Sequence, residues 1–147
     1  MKNSDLRSVL AAAGSRFTRN QPASQGDIEE LERMLTTGLP NEYKDFLLWS
    51  NGGELAGDGQ ALDFWDTHRV VARNERLQIA KRLPKIVLIG SNEGETALGF
   101  EHDSGSFVAV PFGDLSSETT KIIAPSAGMA IEMVLSREID LDEVCYR

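Results

Sequence analysis

One short helix with both ends marked is predicted by residues 39–53, Leu39-Pro40-Asn41-Glu42-Tyr43-Lys44-Asp45-Phe46-Leu47-Leu48-Trp49-Ser50-Asn51-Gly52-Gly53. Pro40 suits the first helical position, because its fixed φ is already helical and its missing N–H is not needed there. Positions i, i+3, i+4 and i+7 form a stripe of mostly large apolar groups, which predicts burial of Tyr43, Phe46, Leu47 and Ser50. Asn51, Gly52 and Gly53 end the helix, because asparagine and glycine tolerate the left-handed conformation that closes a last turn.

A second helix is predicted immediately before this one. Ser24 opens it as a capping box with Asp27, and its apolar seam consists of Ile28, Leu31 and Leu35. The turn at Thr37-Gly38 that joins the two helices is very short. We therefore expect them to pack as an antiparallel pair, with the seam of the first against Tyr43, Phe46 and Leu47 of the second.

The remaining pattern predicts strands between helices. A helix is expected over residues 5–13, a polar connector over 15–23 and a glycine-rich loop over 52–59. The glycines of residues 52–59 also fit a hairpin turn. Strands are expected at 61–65, 86–89, 96–101, 107–112 and 122–123. This order predicts an α+β fold, with a helical layer packed on a mainly antiparallel sheet in a single domain over residues 1–147.

Two more helices are predicted in the second half of the chain. One spans residues 67–82 and ends before Pro84, with an inward face of Val70, Val71, Leu77 and Ala80. The other spans residues 126–135, with an inward face of Met129, Met133 and Val134.

The helix of residues 39–53 also resembles the signature of the SUKH superfamily, through Leu39, Pro40, Tyr43, Phe46, Leu47, Asn51, Gly52 and Gly53. Residues 89–95 and 122–126 resemble later elements of the same family. The resemblance covers residues 24–135, so residues 1–23 are an N-terminal helix and connector and residues 136–147 a C-terminal tail. It implies a SUKH-like α+β fold and a protein-binding role, as in Smi/Knr-type cell-wall assembly regulators and bacterial toxin-immunity proteins.

Composition narrows the range of partners. Lys plus Arg number 15 and Asp plus Glu number 23, which gives a formal net charge of −8. Such a chain repels phosphate-rich surfaces and attracts basic ones, so a protein partner is expected rather than nucleic acid or membrane. Cys145 is the only cysteine, no secretory leader is predicted, and no run approaches the ~18 apolar residues of a membrane span. We expect a cytoplasmic location.

The sequence gives little support for catalysis. His102 lies in Glu101-His102-Asp103-Ser104, but triad groups must converge from separate elements, so a hairpin turn is the simpler interpretation. His68 fits a helix start. One terminal cysteine and two distant histidines do not supply a zinc site, and no glycine motif fits a nucleotide. No cofactor or metal is therefore expected.

Two clusters of carboxylates define the candidate site: Glu54, Asp58, Asp63 and Asp66, followed by Glu93 and Glu95. If one side of the sheet gathers them around Trp65, they form an acidic patch with an aromatic anchor, suited to a cationic protein surface. The first hypothesis is an immunity protein that covers the basic active site of a toxin such as a nuclease or deaminase. The alternatives are a regulatory scaffold of the same fold and a hydrolase that pairs Glu93 or Glu95 with Asp63 or Asp66.

Overall fold

The structure, a computed structural model, describes residues 5–57, 59–141 and 143–144. Its helices are α1 (Leu6–Ala12), α2 (Gln25–Leu35), α3 (Asn41–Trp49), α4 (Thr67–Arg76), α5 (Ile79–Arg82) and α6 (Ala127–Leu135), with a 3-10 turn at Gly14–Arg16. Its strands are β1 (Phe17–Arg19), β2 (Gly53–Ala56), β3 (Ala61–Phe64), β4 (Ile86–Ser91), β5 (Thr96–Glu101), β6 (Phe107–Pro111) and β7 (Lys121–Ala124). No helix among the described residues is long and apolar enough to cross a membrane.

The strands form one antiparallel sheet in the order β1 to β7, so each strand pairs with its neighbours in the sequence. Every residue of β4 is buried, as expected for a strand covered on both faces. Helices pack on the sheet within one domain. The predicted α+β fold is therefore confirmed.

An aromatic cluster joins α3 to the sheet. The ring of Phe46 lies 5.5 Å from that of Phe64 in β3, and the ring of Tyr43 lies 5.5 Å from that of Phe100 in β5. Phe17 in β1 completes the cluster, with its ring 6.2 Å from that of Phe46. The stripe predicted for residues 43–47 is confirmed, because Tyr43, Phe46 and Leu47 are all buried.

The ends of α3 differ slightly from the prediction. Pro40 is the N-cap with a ψ of 140°, not the first helical residue, and its carbonyl accepts from Tyr43 and Lys44 at 3.0 Å each. Ser50 is buried as predicted, but it follows the helix. Its hydroxyl accepts from the Asn20 amide at 3.0 Å and donates to the Gly52 carbonyl at 2.5 Å.

The predicted capping box of α2 is confirmed. The Ser24 hydroxyl accepts from the Asp27 amide at 3.0 Å, and an Asp27 carboxylate oxygen accepts from the Ser24 amide at 3.0 Å. The pKa of Asp27 is lowered, and the main cause is the hydrogen bond that its carboxylate accepts from the Ser24 backbone. The prediction that α2 and α3 pack as a pair is only partly right. α2 contacts α3 but packs mainly on α4, and α3 packs on α1 as well.

Two short strands lie where the sequence predicted a connector and a loop. β1 (Phe17–Arg19) pairs with β2 (Gly53–Ala56), so the connector prediction for residues 15–23 and the loop prediction for residues 52–59 are wrong over these strands. Four glycines lie in or near β2, and because clustered glycines are typical of loops, the sequence did not predict this strand. Burial of Phe17 and Leu55, which face each other across the pair, decides the structure instead of local propensity.

The helix predicted over residues 67–82 is interrupted. Gln78 has a φ of 56°, which separates α4 from α5, although neither glycine nor proline marks the break. The break places Ile79 in the core and leaves Ala80 exposed, so the inward position predicted for Ala80 is wrong. In α6, Met129 is 45% exposed, so its predicted inward position is also wrong. The buried residues of α6 are Ala127, Gly128, Ala130, Ile131 and Val134.

The Glu42 carboxylate joins the first and last helices. It accepts hydrogen bonds from the Leu6 amide of α1 at 3.0 Å and from the Ala127 and Gly128 amides of α6 at 3.1 Å each. The first amides of a helix have no partner within it, so a carboxylate at α3 satisfies donors at two helix starts. This side chain therefore fixes how α1 and α6 meet over α3.

The Tyr43 hydroxyl is buried and has no hydrogen-bond partner among the described residues. Burial raises the pKa of this phenol well above its ordinary value, so it stays neutral. A buried polar group without a partner lowers stability, so Tyr43→Phe is expected to raise the free energy of unfolding by about 1 kcal/mol. Urea denaturation measures the change. As a control, Tyr43→Leu, which also loses the ring contacts, is expected to destabilise the protein. A destabilised Tyr43→Phe variant would show that the hydroxyl makes a favourable hydrogen bond.

Candidate functional site

Asn51, Gly52 and Gly53 form the corner that positions the candidate site. The Asn51 side-chain oxygen accepts from the Thr67 amide at 2.9 Å, which ties this corner to the start of α4. Gly52 has a φ of 80°, and a Cβ placed there would lie 2.5 Å from the Phe64 carbonyl. A side chain does not fit that approach. The corner therefore brings the end of α3 directly against the junction of β3 and α4.

Three of the predicted carboxylates meet at this junction. Glu54 of β2 lies opposite Asp63 of β3, and Asp63 lies opposite Ser91 of β4. Directly paired antiparallel residues share a face of the sheet, so this face presents both carboxylates to one side. Asp66 follows as the N-cap of α4, where its carboxylate accepts from the Arg69 amide at 2.8 Å.

The Arg69 guanidinium neutralises part of this cluster. It donates to both carboxylate oxygens of Asp63, at 2.9 and 3.0 Å, and its Nε lies 3.6 Å from Asp66. The pKa of Arg69 is raised, mainly by the hydrogen bond to Asp63, and the charges of Asp66 and Glu54 raise it further. Asp63 and Asp66 are therefore partners of an internal cation as well as surface charges.

Trp65 is not the exposed anchor that the sequence suggested. Its side chain is 0% exposed, and the Arg73 guanidinium lies 4.9 Å above its ring. A partner surface has no access to the indole. Trp65 directly follows the last residue of β3, so the alternation of the strand does not fix the direction of its side chain. Burial of the large ring decides that direction.

The other predicted members lie at the turn between β4 and β5. Glu93 and Glu95 are both exposed, and the Glu93 amide donates to the Ser91 hydroxyl at 3.2 Å, next to Asp63 across the ladder. Asp58 lies outside the described residues. We call Glu54, Asp63, Asp66, Glu93 and Glu95 the acidic flank; its first three members lie near the Arg69 guanidinium, and it contains no exposed aromatic group.

Neither histidine belongs to this flank. His102 lies in the turn after β5, where its ring Nδ1 is 3.4 Å from the Thr37 hydroxyl, and His68 lies in the first turn of α4. Among residues 5–57, 59–141 and 143–144, no three histidine, cysteine or carboxylate side chains cluster to hold a metal ion. Cys145 falls outside this set.

A second charged segment was not predicted as a functional surface. Residues 69–85 contain six basic residues and only Glu75 as an acid, in a chain of net charge −8. These residues belong to α4, α5 and the turn that leads into β4. A count of charge by segment would have found it, because the run is continuous in the sequence.

Comparison with known families supplies the identity of the fold. A family model described as the SMI1 / KNR4 family (SUKH-1) matches residues 22–132. The chain belongs to this family. The match begins near the cap of α2 and extends into α6, so it covers β2 to β7 as well as both signature helices, while β1 precedes it. A comparison with curated protein sequences gave no match.

The SUKH-1 signature has a structural role in this chain. Leu39, Tyr43, Phe46 and Leu47 are buried, Pro40 caps α3, and Asn51, Gly52 and Gly53 build the corner described above. These residues position the acidic flank without lying in it. The predicted resemblance to the SUKH superfamily is thus confirmed.

Proposed function

We propose that this SUKH-1 domain is a non-enzymatic binding protein that neutralises a toxin by covering its basic active-site surface. The observation that carries the proposal is the acidic flank, held in place by the corner that the family signature builds. Opposite charges across an interface accelerate association and select the partner. A nuclease or deaminase toxin carries a basic groove for its nucleic-acid substrate, which matches this flank.

The arrangement gives less support to hydrolysis. Glu93 and Glu95 are exposed on a turn, while Asp63, the suggested second carboxylate, already accepts two hydrogen bonds from Arg69. A general base must reach its substrate in a geometry that several side chains hold. Exposed carboxylates on a strand and on a turn suit the docking of a macromolecule better than the enclosure of a small substrate.

The proposal is tested by expressing the gene next to the one for this chain in a bacterial host, with and without the chain. We expect the neighbouring product to arrest growth, and the chain to restore growth and to bind the purified product. The double variant Glu54→Lys/Glu93→Lys is expected to weaken binding by roughly tenfold to hundredfold, because it makes the charge of the acidic flank more positive by four units. Raising the salt concentration is expected to reduce the difference in affinity between the parent chain and the double variant, because salt screens the charges.

A matched control carries the same charge change elsewhere. Glu29→Lys/Glu118→Lys alters two exposed residues of α2 and of the β6–β7 connection, and it is expected to bind as the parent chain does. Equal binding by both double variants would show that the acidic flank is not the contact. A non-toxic neighbour, with specific binding to a cellular protein instead, would favour the regulatory or scaffold role.

A further inference from the structure

The basic segment of residues 69–85 borders two neighbouring depressions on the surface. One has a volume of about 670 Å³ and lies between the end of α2 and the α4–α5 region. The other has a volume of about 470 Å³ and lies between the start of β4 and the β6–β7 connection. Pro84 and Ile86 line both. The depressions therefore adjoin at these two residues, and we call them together the basic groove.

Apolar side chains form the walls of the basic groove. Met34 lies in the first depression and is 45% exposed, and Ile122 lies in the second and is 65% exposed. Ile79 and Val108 contribute buried surface to the two depressions. Large aliphatic groups exposed along a concave surface are typical of sites that take the apolar side chains of a partner.

Three cations lie along the same groove. Lys81 borders the first depression, and Arg82 and Lys85 border the second. All three are exposed, and none forms an ion pair with another described residue. The acids that line the groove are Glu75 and Glu101, and Glu101 accepts a hydrogen bond from the Ser104 hydroxyl at 3.0 Å. The lining thus holds three cations and two carboxylates, a small net positive charge in a chain of net charge −8.

We propose that the basic groove binds an acidic peptide segment of a protein partner, with aliphatic side chains in the depressions and carboxylates on Lys81, Arg82 and Lys85. Charge complementarity selects this occupant, because the groove is basic in a chain that is otherwise strongly acidic. Exposed Met34 and Ile122 favour a peptide over nucleic acid, since a phosphate backbone needs cations and gains nothing from aliphatic walls. This site is separate from the acidic flank and does not depend on the function proposed for it.

The inference is tested by selecting from a displayed library of random peptides of about 12 residues on the full chain. We expect enrichment of sequences that combine aspartate or glutamate with leucine, isoleucine or valine. By fluorescence anisotropy, the enriched peptides are expected to lose at least about tenfold in affinity for Lys81→Glu/Lys85→Glu, and also for Met34→Ser/Ile122→Ser. The exposed positions of all four residues allow these variants to fold.

The control variant Arg7→Glu/Arg137→Glu carries the same charge change as Lys81→Glu/Lys85→Glu but lies away from the groove, and it is expected to bind the peptides normally. Lack of enrichment, or enriched peptides without acidic residues, would overturn the proposal. A single-stranded oligonucleotide that binds as tightly as the peptides, with no effect of Met34→Ser/Ile122→Ser, would identify the groove as a nucleic-acid site instead.

Discussion

Glu42→Ala is expected to lower the free energy of unfolding by about 3 kcal/mol. The substitution leaves the amides of Leu6, Ala127 and Gly128 without their acceptor, and hydrogen bonds to a charged group contribute about 1.5–3 kcal/mol each when they are shielded from water. The three contributions do not add fully, because Glu42 is half-buried and water reaches part of the site. The midpoint temperature of thermal unfolding is expected to fall by about 10 °C in a domain of this size.

The matched control is Asp45→Ala, which removes an exposed carboxylate from the same helix and is expected to change stability by less than about 0.5 kcal/mol. Hydrogen exchange gives a local measurement, since the amides at the starts of α1 and α6 should exchange faster in Glu42→Ala than in the control. Similar stability of the two variants would show that Glu42 is not the shared cap of these helices.

Asn74→Ala is expected to lower the free energy of unfolding by about 4 kcal/mol, more than Glu42→Ala does. The Asn74 side chain is 7% exposed; its amide nitrogen donates to the carbonyls of Val70 at 2.7 Å and Leu88 at 2.8 Å, and its oxygen accepts from the Leu88 amide at 3.0 Å. β3 pairs with β4 only at Gly90 and Ser91, so Asn74 takes the place of a strand partner for Leu88. Each buried backbone group left without a partner costs about 1–3 kcal/mol.

Chemical denaturation of Asn74→Ala measures this cost, and Asn41→Ala, which removes an exposed amide at the start of α3, is the control. Asn74→Asp adds a pH test. A buried aspartate facing two carbonyls has a raised pKa in the folded state, so the folded protein holds its proton to higher pH than the unfolded chain does. The stability of Asn74→Asp relative to the parent chain should therefore fall as the pH rises from about 4 to about 7; a pH-independent difference would contradict the buried contact.

Local signals in the sequence were sufficient for the helix caps and the central strands. Ser24 with Asp27, and Asn51 with two glycines, act within a few residues, so they can be identified without tertiary information. The continuous apolar run of β4 likewise predicts burial on both faces. The exact first residue of α3 was off by one, as is usual for helix ends.

Other features depend on contacts that are distant in the sequence. β1 exists because Phe17 packs on Phe46, and the break at Gln78 exists because Ile79 must reach the core. No local propensity reports either contact. In α6, apolar residues occupy most of the circumference, so periodicity did not identify the buried face.

The candidate site was predicted in part. Cross-strand register brings Glu54 next to Asp63, as the acidic-patch hypothesis required, but burial removes Trp65 from the surface. The pairing of Arg69 with Asp66 was accessible from their i, i+3 spacing on α4, whereas its pairing with Asp63 depends on the corner between β3 and α4. The binding role of Glu54, Asp63, Asp66, Glu93 and Glu95 stays a prediction.

The serial order of the strands has a consequence for how the chain acquires its structure during synthesis. Because each strand pairs with the one made just before it, the sheet extends in the order of synthesis. The β2–β3, β4–β5 and β5–β6 pairs close short loops with small entropy, whereas the β1–β2 and β3–β4 pairs close around α2 with α3 and around α4 with α5. The contacts of Glu42 with Ala127 and Gly128 bridge much longer separations and wait for the last helix. A ribosome-bound chain that ends before α6 is therefore expected to hold a sheet with α1 on α3 but without the packing of α1 on α6, and the arrival of α6 completes the contacts of Glu42.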